Sequence, residues 1–281
     1  MRWLRRIALG VAALVLLAAA VIYGGSQWII GRDRGVPQAK LDIPHDAASI
    51  AEGGRIATTM ACRDCHGPNG EGKVLFDQPM VGRIAPPPLA AVAARMTDEE
   101  LVRAIRHGVH KDGSALFIMP VNAYAHIADD DLARIVAWIR TLRPQPGPEP
   151  RGMHYGPVGR ALILAGAFPP KTVAEKLAPA TRPAELGRYY FDSVCSSCHK
   201  LAEDGLMEDG KEKVPALAPI AAAYDPAAFR RLLRTGVAAN GKTDIGMMSM
   251  VSRNAFHALT DDEIAAIHAW LTAEAARLPR Q

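Results

Sequence analysis

A chain of 281 residues is long enough for two compact domains, and 49% hydrophobic with 22% charged residues excludes wholesale disorder. The formal net charge of +4 comes from Arg2, Arg5, Arg6 and Arg32. Residues 33–281 are formally neutral, which leaves nucleic-acid binding without electrostatic support. Aromatics at 6% and abundant alanine favour helix over strand.

The first element is "MRWLRRIALGVAALVLLAAAVIYGGSQWII", three arginines followed by 25 uncharged residues from Ile7 to Gly31. That run can cross a hydrocarbon core of roughly 30 Å as a helix. Arginines on the short leading side put the N-terminus in the cytoplasm, and Trp3 and Trp28 sit where interfacial aromatics belong. Ala18-Ala19-Ala20 also fits a signal-peptide cleavage site. Apolar residues continue to Ile30, so residues 1–32 are expected to stay as a single-pass anchor. On either reading the chain beyond it is exported.

Next comes "AEGGR" at 51–55, then Cys62-Arg63-Asp64-Cys65-His66. Thr97-Asp98-Glu99-Glu100 is a capping box ahead of Leu101, Ala104 and Ile105 on one helical face. Met119-Pro120 follows, then the acid cluster Asp129-Asp130-Asp131, favoured at a helix start by the macrodipole. Leu132, Ile135, Val136 and Ile139 make the stripe of that helix. This first unit spans residues 46–143. The stretch "RPQPGPEPRG" from Arg143 to Gly152 cannot hold helix or central strand and opens a Pro-rich linker over 144–182. Within it, "ALILAGAF" (161–168) is too short to span a bilayer and is expected to pack against a module.

The second unit, residues 183–281, repeats the first. "AELGR" at 184–188 and Cys195-x-x-Cys198-His199 return at an offset of 133. Arg106-His107-Gly108-Val109 matches Arg234-Thr235-Gly236-Val237, and Ala137-Trp138 matches Ala269-Trp270. Asp225-Pro226 supplies an N-cap with proline at the first helical position, and Thr260-Asp261-Asp262-Glu263 is a second capping box. No long alternating strand pattern occurs, so the expected class is all-α, with two tandem copies of one domain behind an N-terminal transmembrane helix.

All four cysteines lie in the two pentads. Disulfides suit an exported chain but do not explain a histidine after each pair. A four-thiolate zinc site would draw on pairs 133 residues apart, each inside its own repeat. A thioredoxin-like dithiol wants a βαβ context that is not visible. Cys-x-x-Cys-His is the attachment pattern of c-type haem, with two thioethers and an adjacent imidazole on the iron.

On these residues the chain resembles the class I cytochrome c family twice over, across about 200 residues. In that family a glycine eight residues before the first cysteine presses against an aromatic of the C-terminal helix; Gly54 and Gly187 correspond, with Trp138 and Trp270 as partners. An aromatic four residues before the cysteine is met by Phe191, whereas Thr58 departs, which implies looser packing in the first unit. Proline carbonyls of "PPPL" (86–89) and "PAL" (215–217) are expected to accept a hydrogen bond from the ligand imidazole.

The resemblance implies two covalently attached haem c groups. The first would be held by Cys62, Cys65, His66 and Met119, the second by Cys195, Cys198, His199 and a methionine of "DIGMMSMVSR". Similar two-haem cytochromes carry Asp-Leu-Gly-Leu-Met-Ser, which selects Met248; Met247 and Met250 remain candidates. Met60, Met80 and Met96 are expected to be packing residues, and His45, His107, His110, His126, His154, His257 and His268 surface or helix-face residues. A His–His centre through His107 or His110 would require Met119 to be displaced.

The implied function is single-electron transfer on the periplasmic side of the cytoplasmic membrane, without a small-molecule substrate site. The expected partners are redox proteins: a quinol-oxidising complex, a periplasmic dehydrogenase or a terminal oxidase. A cytochrome subunit of a dehydrogenase complex and a dihaem peroxidase are the alternatives.

Overall fold

The computed structural model describes residues 1–147, 152–207, 210 and 212–279; residues 148–151 of the expected linker lie outside them. It begins with α1 (Arg2–Gly31), whose apolar side chains face outward along most of its length. α1 is the one helix among the described residues that is long and apolar enough to cross a membrane.

The first repeat folds as α2 (Ala47–Thr59), α3 (Cys62–His66), the strands β1 (Phe76–Gln78) and β2 (Gly82–Ala85), then α4 (Leu89–Ala93), α5 (Asp98–His107), α6 (Val121–Tyr124) and α7 (Asp129–Thr141). Local chemistry sets the ends. Asp46 caps α2 by accepting from Ser49 N–H at 2.8 Å, and both halves of the Thr97/Glu100 capping box form. α2 lies across α7 at very short range, because a Cβ on Gly53 would fall 1.9 Å from Arg134 O and one on Gly54 2.9 Å from Trp138 Cδ1.

Beyond α7 the chain forms β3 (Gly152–Tyr155) and α8 (Pro157–Leu164). β3 adds as an edge strand to an antiparallel sheet of order β1-β2-β3, pairing Gly82 with Tyr155 and Ala85 with Gly152. α8 packs against the end of α1. The stretch between the repeats is therefore part of the first module's structure as well as a connection.

The second repeat follows as α9 (Leu186–Ser193), a 3₁₀ turn at Cys195–Ser197, the short pair β4 (Gly205–Leu206) and β5 (Lys213–Val214), α10 (Leu217–Ala222), α11 (Pro226–Thr235), α12 (Met247–Asn254), a 3₁₀ turn at Phe256–Ala258 and α13 (Asp261–Arg277). α9 crosses α13 as α2 crosses α7, and a Cβ on Gly187 would lie 2.3 Å from Trp270 Cβ. The Asp225 and Thr260 caps form as the sequence indicates.

One hydrophobic core runs through both repeats, joining Ile56, Leu132 and Trp138 to Tyr190, Phe229, Ile264 and Leu271. Charged groups lock the seam. Arg55 bridges Glu52 and Glu263, each at 2.7 Å, and Arg182 bridges Asp131 at 2.7 Å and Glu52 at 2.9 Å. Tyr189 Oη donates to Asp131 at 2.7 Å, and Tyr190 Oη donates to Glu263. A smaller cluster of Ala115, Phe117 and Ile163 takes in Ile29 and Ile30 of α1.

Candidate functional site

In both modules the pentad follows an N-terminal helix held against the C-terminal helix by the glycine–tryptophan contact. In the first, Ala61 turns the chain from α2 into α3 through a left-handed conformation at φ 57°. Cys62, Cys65 and Cys195 are half-buried, and Cys198 is exposed. Burial pushes the Cys62 and Cys195 thiols up to about 12, so neither is a reactive thiolate near neutrality. A redox dithiol needs the opposite shift. Among the described residues no three His, Cys, Asp or Glu side chains converge as a metal cage.

The histidines repeat one geometry. His66 Nδ1 lies 2.9 Å from Pro87 O, and His199 Nδ1 lies 2.9 Å from Pro215 O. A carbonyl only accepts, so Nδ1 carries the proton in each ring and Nε2 presents its lone pair. Desolvation lowers both imidazole pKa values against the effect of the proline carbonyl, which keeps the rings neutral at pH 7. A neutral imidazole, pinned at Nδ1 and next to a cysteine pair, fits an iron porphyrin held by thioethers.

The methionine segments differ. Met119 is half-buried against the core just before Pro120, which starts α6. The second module replaces that loop by α12, so its methionines lie on a helix. Met248 packs against the core, whereas Met247 and Met250 are 40% and 41% exposed. Ser249, fully buried, donates through Oγ to Gly236 O at 2.6 Å and accepts from Ile245 N–H at 2.9 Å, fixing the turn that carries Met248. Gly236 and Gly108 are equivalent helix ends with φ near 70°, a conformation that favours glycine.

Several expectations need correction. Thr58 does not loosen the first module. Its hydroxyl accepts from Arg63 Nε at 2.9 Å, and the Arg63 guanidinium stacks 4.7 Å from the Trp138 ring centre. Phe191 fills that role against Trp270 at 5.3 Å, yet Trp138 is the more buried of the two indoles. Met60 and Met96 pack on the core, but Met80 is 60% exposed in the β1–β2 turn. His107 is buried, with Nδ1 2.7 Å from Val173 O. Asp129 and Asp131 do more than start a helix, since Asp129 pairs with the fully buried Arg106 at 2.7 Å.

Sequence reasoning missed Tyr124. Its hydroxyl donates to Met60 O at 2.5 Å beside Cys62. The signal was available in "NAY" at 122–124 and "NAF" at 254–256, a match that makes Phe256 its counterpart. The pentads also reach across the seam. Asp64 hydrogen-bonds Asn254 of α12, and the turn at Cys195–Ser197 lies against α6.

Comparison with known proteins agrees with this architecture. The cytochrome c family model matches residues 50–143, and the model for cytochrome c oxidase, cbb3-type, subunit III matches residues 182–271. A diheme cytochrome c-type protein of Cereibacter sphaeroides is 26% identical over 293 aligned positions, covering 92% of this chain and 95% of that protein. The fructose dehydrogenase cytochrome subunit of Gluconobacter japonicus is 30% identical over 114 positions, 37% of this chain and 23% of that protein. With a cytochrome c domain in each half and similarity along nearly its whole length, the chain belongs to the dihaem c-type cytochromes.

Proposed function

We propose that the protein is a membrane-tethered carrier of single electrons on the periplasmic face of the cytoplasmic membrane. Cys62, Cys65, His66 and Met119 would hold one haem c, and Cys195, Cys198, His199 and Met248 the other. A c-type haem supplies a one-electron ferric–ferrous couple whose potential is raised by a thioether ligand. The observation that carries the reading is the duplicated 2.9 Å contact between imidazole Nδ1 and a proline carbonyl. That carbonyl fixes the ring's tautomer and orientation and raises the basicity of Nε2. A histidine and a methionine on each centre leave no position for substrate.

The seam supports exchange within the chain. Each pentad abuts the other module, and the Arg55 and Arg182 bridges hold the two modules in one relation. α1 supports tethering, which would replace free diffusion to a donor or acceptor by a high effective concentration. A second reading, the electron-accepting subunit of a dehydrogenase complex, is favoured by the similarity to the Gluconobacter subunit. The test is haem-stained, mass-resolved chain from isolated inner membranes. Two covalent haems on a chain that retains α1 is the expected result. One haem, none, or a chain lacking α1 overturns the corresponding part, and a catalytic subunit that co-purifies stoichiometrically selects the second reading.

A further inference from the structure

α8 reads Pro157-Val158-Gly159-Arg160-Ala161-Leu162-Ile163-Leu164, and every side of it is apolar apart from Arg160. Its packing accounts for only two sides. Gly159 and Ile163 are buried inward, where a Cβ on Gly159 would lie 2.0 Å from Val81 O. Arg160 and Leu164 turn to α1: Arg160 donates to Ser26 Oγ at 3.1 Å and Gln27 Oε1 at 3.2 Å, and lies 5.0 Å from the Tyr23 ring centre. Leu164 sits where a Cβ on Gly25 would reach it at 2.7 Å. The remaining side carries Val158, Ala161 and Leu162, one turn apart or adjacent on the helix surface, with no polar group among them.

That bare side continues onto the sheet. Val158 N–H donates to Met80 O at 2.9 Å, which places the β1–β2 turn alongside α8. Met80 and Val81 expose their side chains there. Helix and turn together therefore present one apolar surface, larger than the singly scattered apolar residues normal on a soluble face.

We propose that α8 and the β1–β2 turn lie in the interfacial layer of the same bilayer that α1 crosses, so that the lipid headgroup and upper acyl region covers this surface. The proposal rests on the reading of α1 as a retained span. Depth is what selects lipid as the occupant. A hydrocarbon core takes about 20 helical residues, and counting from Ile7 puts its outer boundary near Ser26. Tyr23, Gly25, Ser26 and Gln27 are the residues that α8 grips. A helix clamped at that level cannot avoid the interface, and its single charged side chain is turned away from lipid onto α1. The first module is thereby seated on the membrane by a span, a surface helix and a turn, rather than hung from a flexible stalk.

The test uses the full-length, haem-loaded chain in bacterial inner membranes, with a benzophenone side chain placed singly at Leu16, Leu162 or Met80 and photolysed. Adducts are read by mass spectrometry. Leu16, in the middle of α1, reports the span itself. Phospholipid adducts at all three positions are expected. Lipid at Leu16 with no lipid adduct at either Leu162 or Met80, including capture of a protein there instead, overturns the surface contact and leaves the tether intact. Failure at Leu16 as well removes the tether and this proposal with it.

Discussion

Tyr124 and Phe256 occupy equivalent places, and only the tyrosine has a hydroxyl to satisfy Met60 O. Tyr124→Phe should therefore fold, since the second module already uses phenylalanine there. It should lose about 1–2 kcal/mol, the cost of a buried carbonyl left without its donor. Denaturant unfolding followed at the haem absorbance checks this, and an unchanged midpoint contradicts it. The methionines proposed as axial ligands make the matching test of the site. Met248→Leu should remove the weak methionine-to-ferric band of one haem, whereas Met250→Leu, at a residue 41% exposed, should keep both. The reverse outcome would reassign the ligand.

At this scale the histidines and the prolines that meet them were legible because hydrogen-bond chemistry demands fixed types at fixed spacing. Arg63 stacking on Trp138 was not. Nothing in a local pattern says that a long cation can replace an aromatic ring.

Among elements, helix starts were read well because a cap is local. Thr97, Asp225 and Thr260 each meet a backbone N–H three residues on. The short strands escaped notice: β1 to β3 hold three or four residues each, and β3 joins its partner across some 70 positions of chain. Pairing of that kind depends on tertiary contact and leaves no periodicity to find. α12 was missed for a related reason, since Met-Met-Ser-Met resembles the loop it replaces.

The helix pairs themselves can be tested through their glycines. Gly187→Ala would set a methyl 2.3 Å from Trp270 Cβ and 2.5 Å from Ala266 O, contacts that only separation of α9 from α13 relieves. Overpacking of this sort costs about 1–3 kcal/mol. The thermal midpoint should fall accordingly. A wild-type midpoint would show that the pair yields freely.

For the molecule as a whole, the seam between modules is where charge matters. Arg55 hydrogen-bonds Glu52, and together with Arg182 it outweighs desolvation and holds that carboxyl at about 2, against an ordinary 4.5. Glu263 is pulled down as well: burial opposes the shift, and hydrogen bonds from Arg55 and Tyr190 overcome it. A carboxylate whose folded pKa is depressed contributes stability that is present in full above its unfolded value. The contribution fades as pH falls toward the folded value. For Glu52 the window runs from about pH 4.5 down to about 2.

Cutting the network at Arg182 separates this effect from the general acid response of the chain. Arg182→Gln takes one cation from Asp131, whose side chain is 1% exposed and which keeps Arg134 and the Tyr189 hydroxyl, each at 2.7 Å, and should cost about 1.5–3 kcal/mol near neutrality. It also removes one of the two cations that depress Glu52. The variant's stability should therefore fall less steeply than the wild type's between pH 4.5 and 2, so that the two curves converge in acid. Unfolding midpoints measured at intervals across that range decide the matter. Parallel curves would mean that the bridges hold the modules together without setting the proton affinity of the seam.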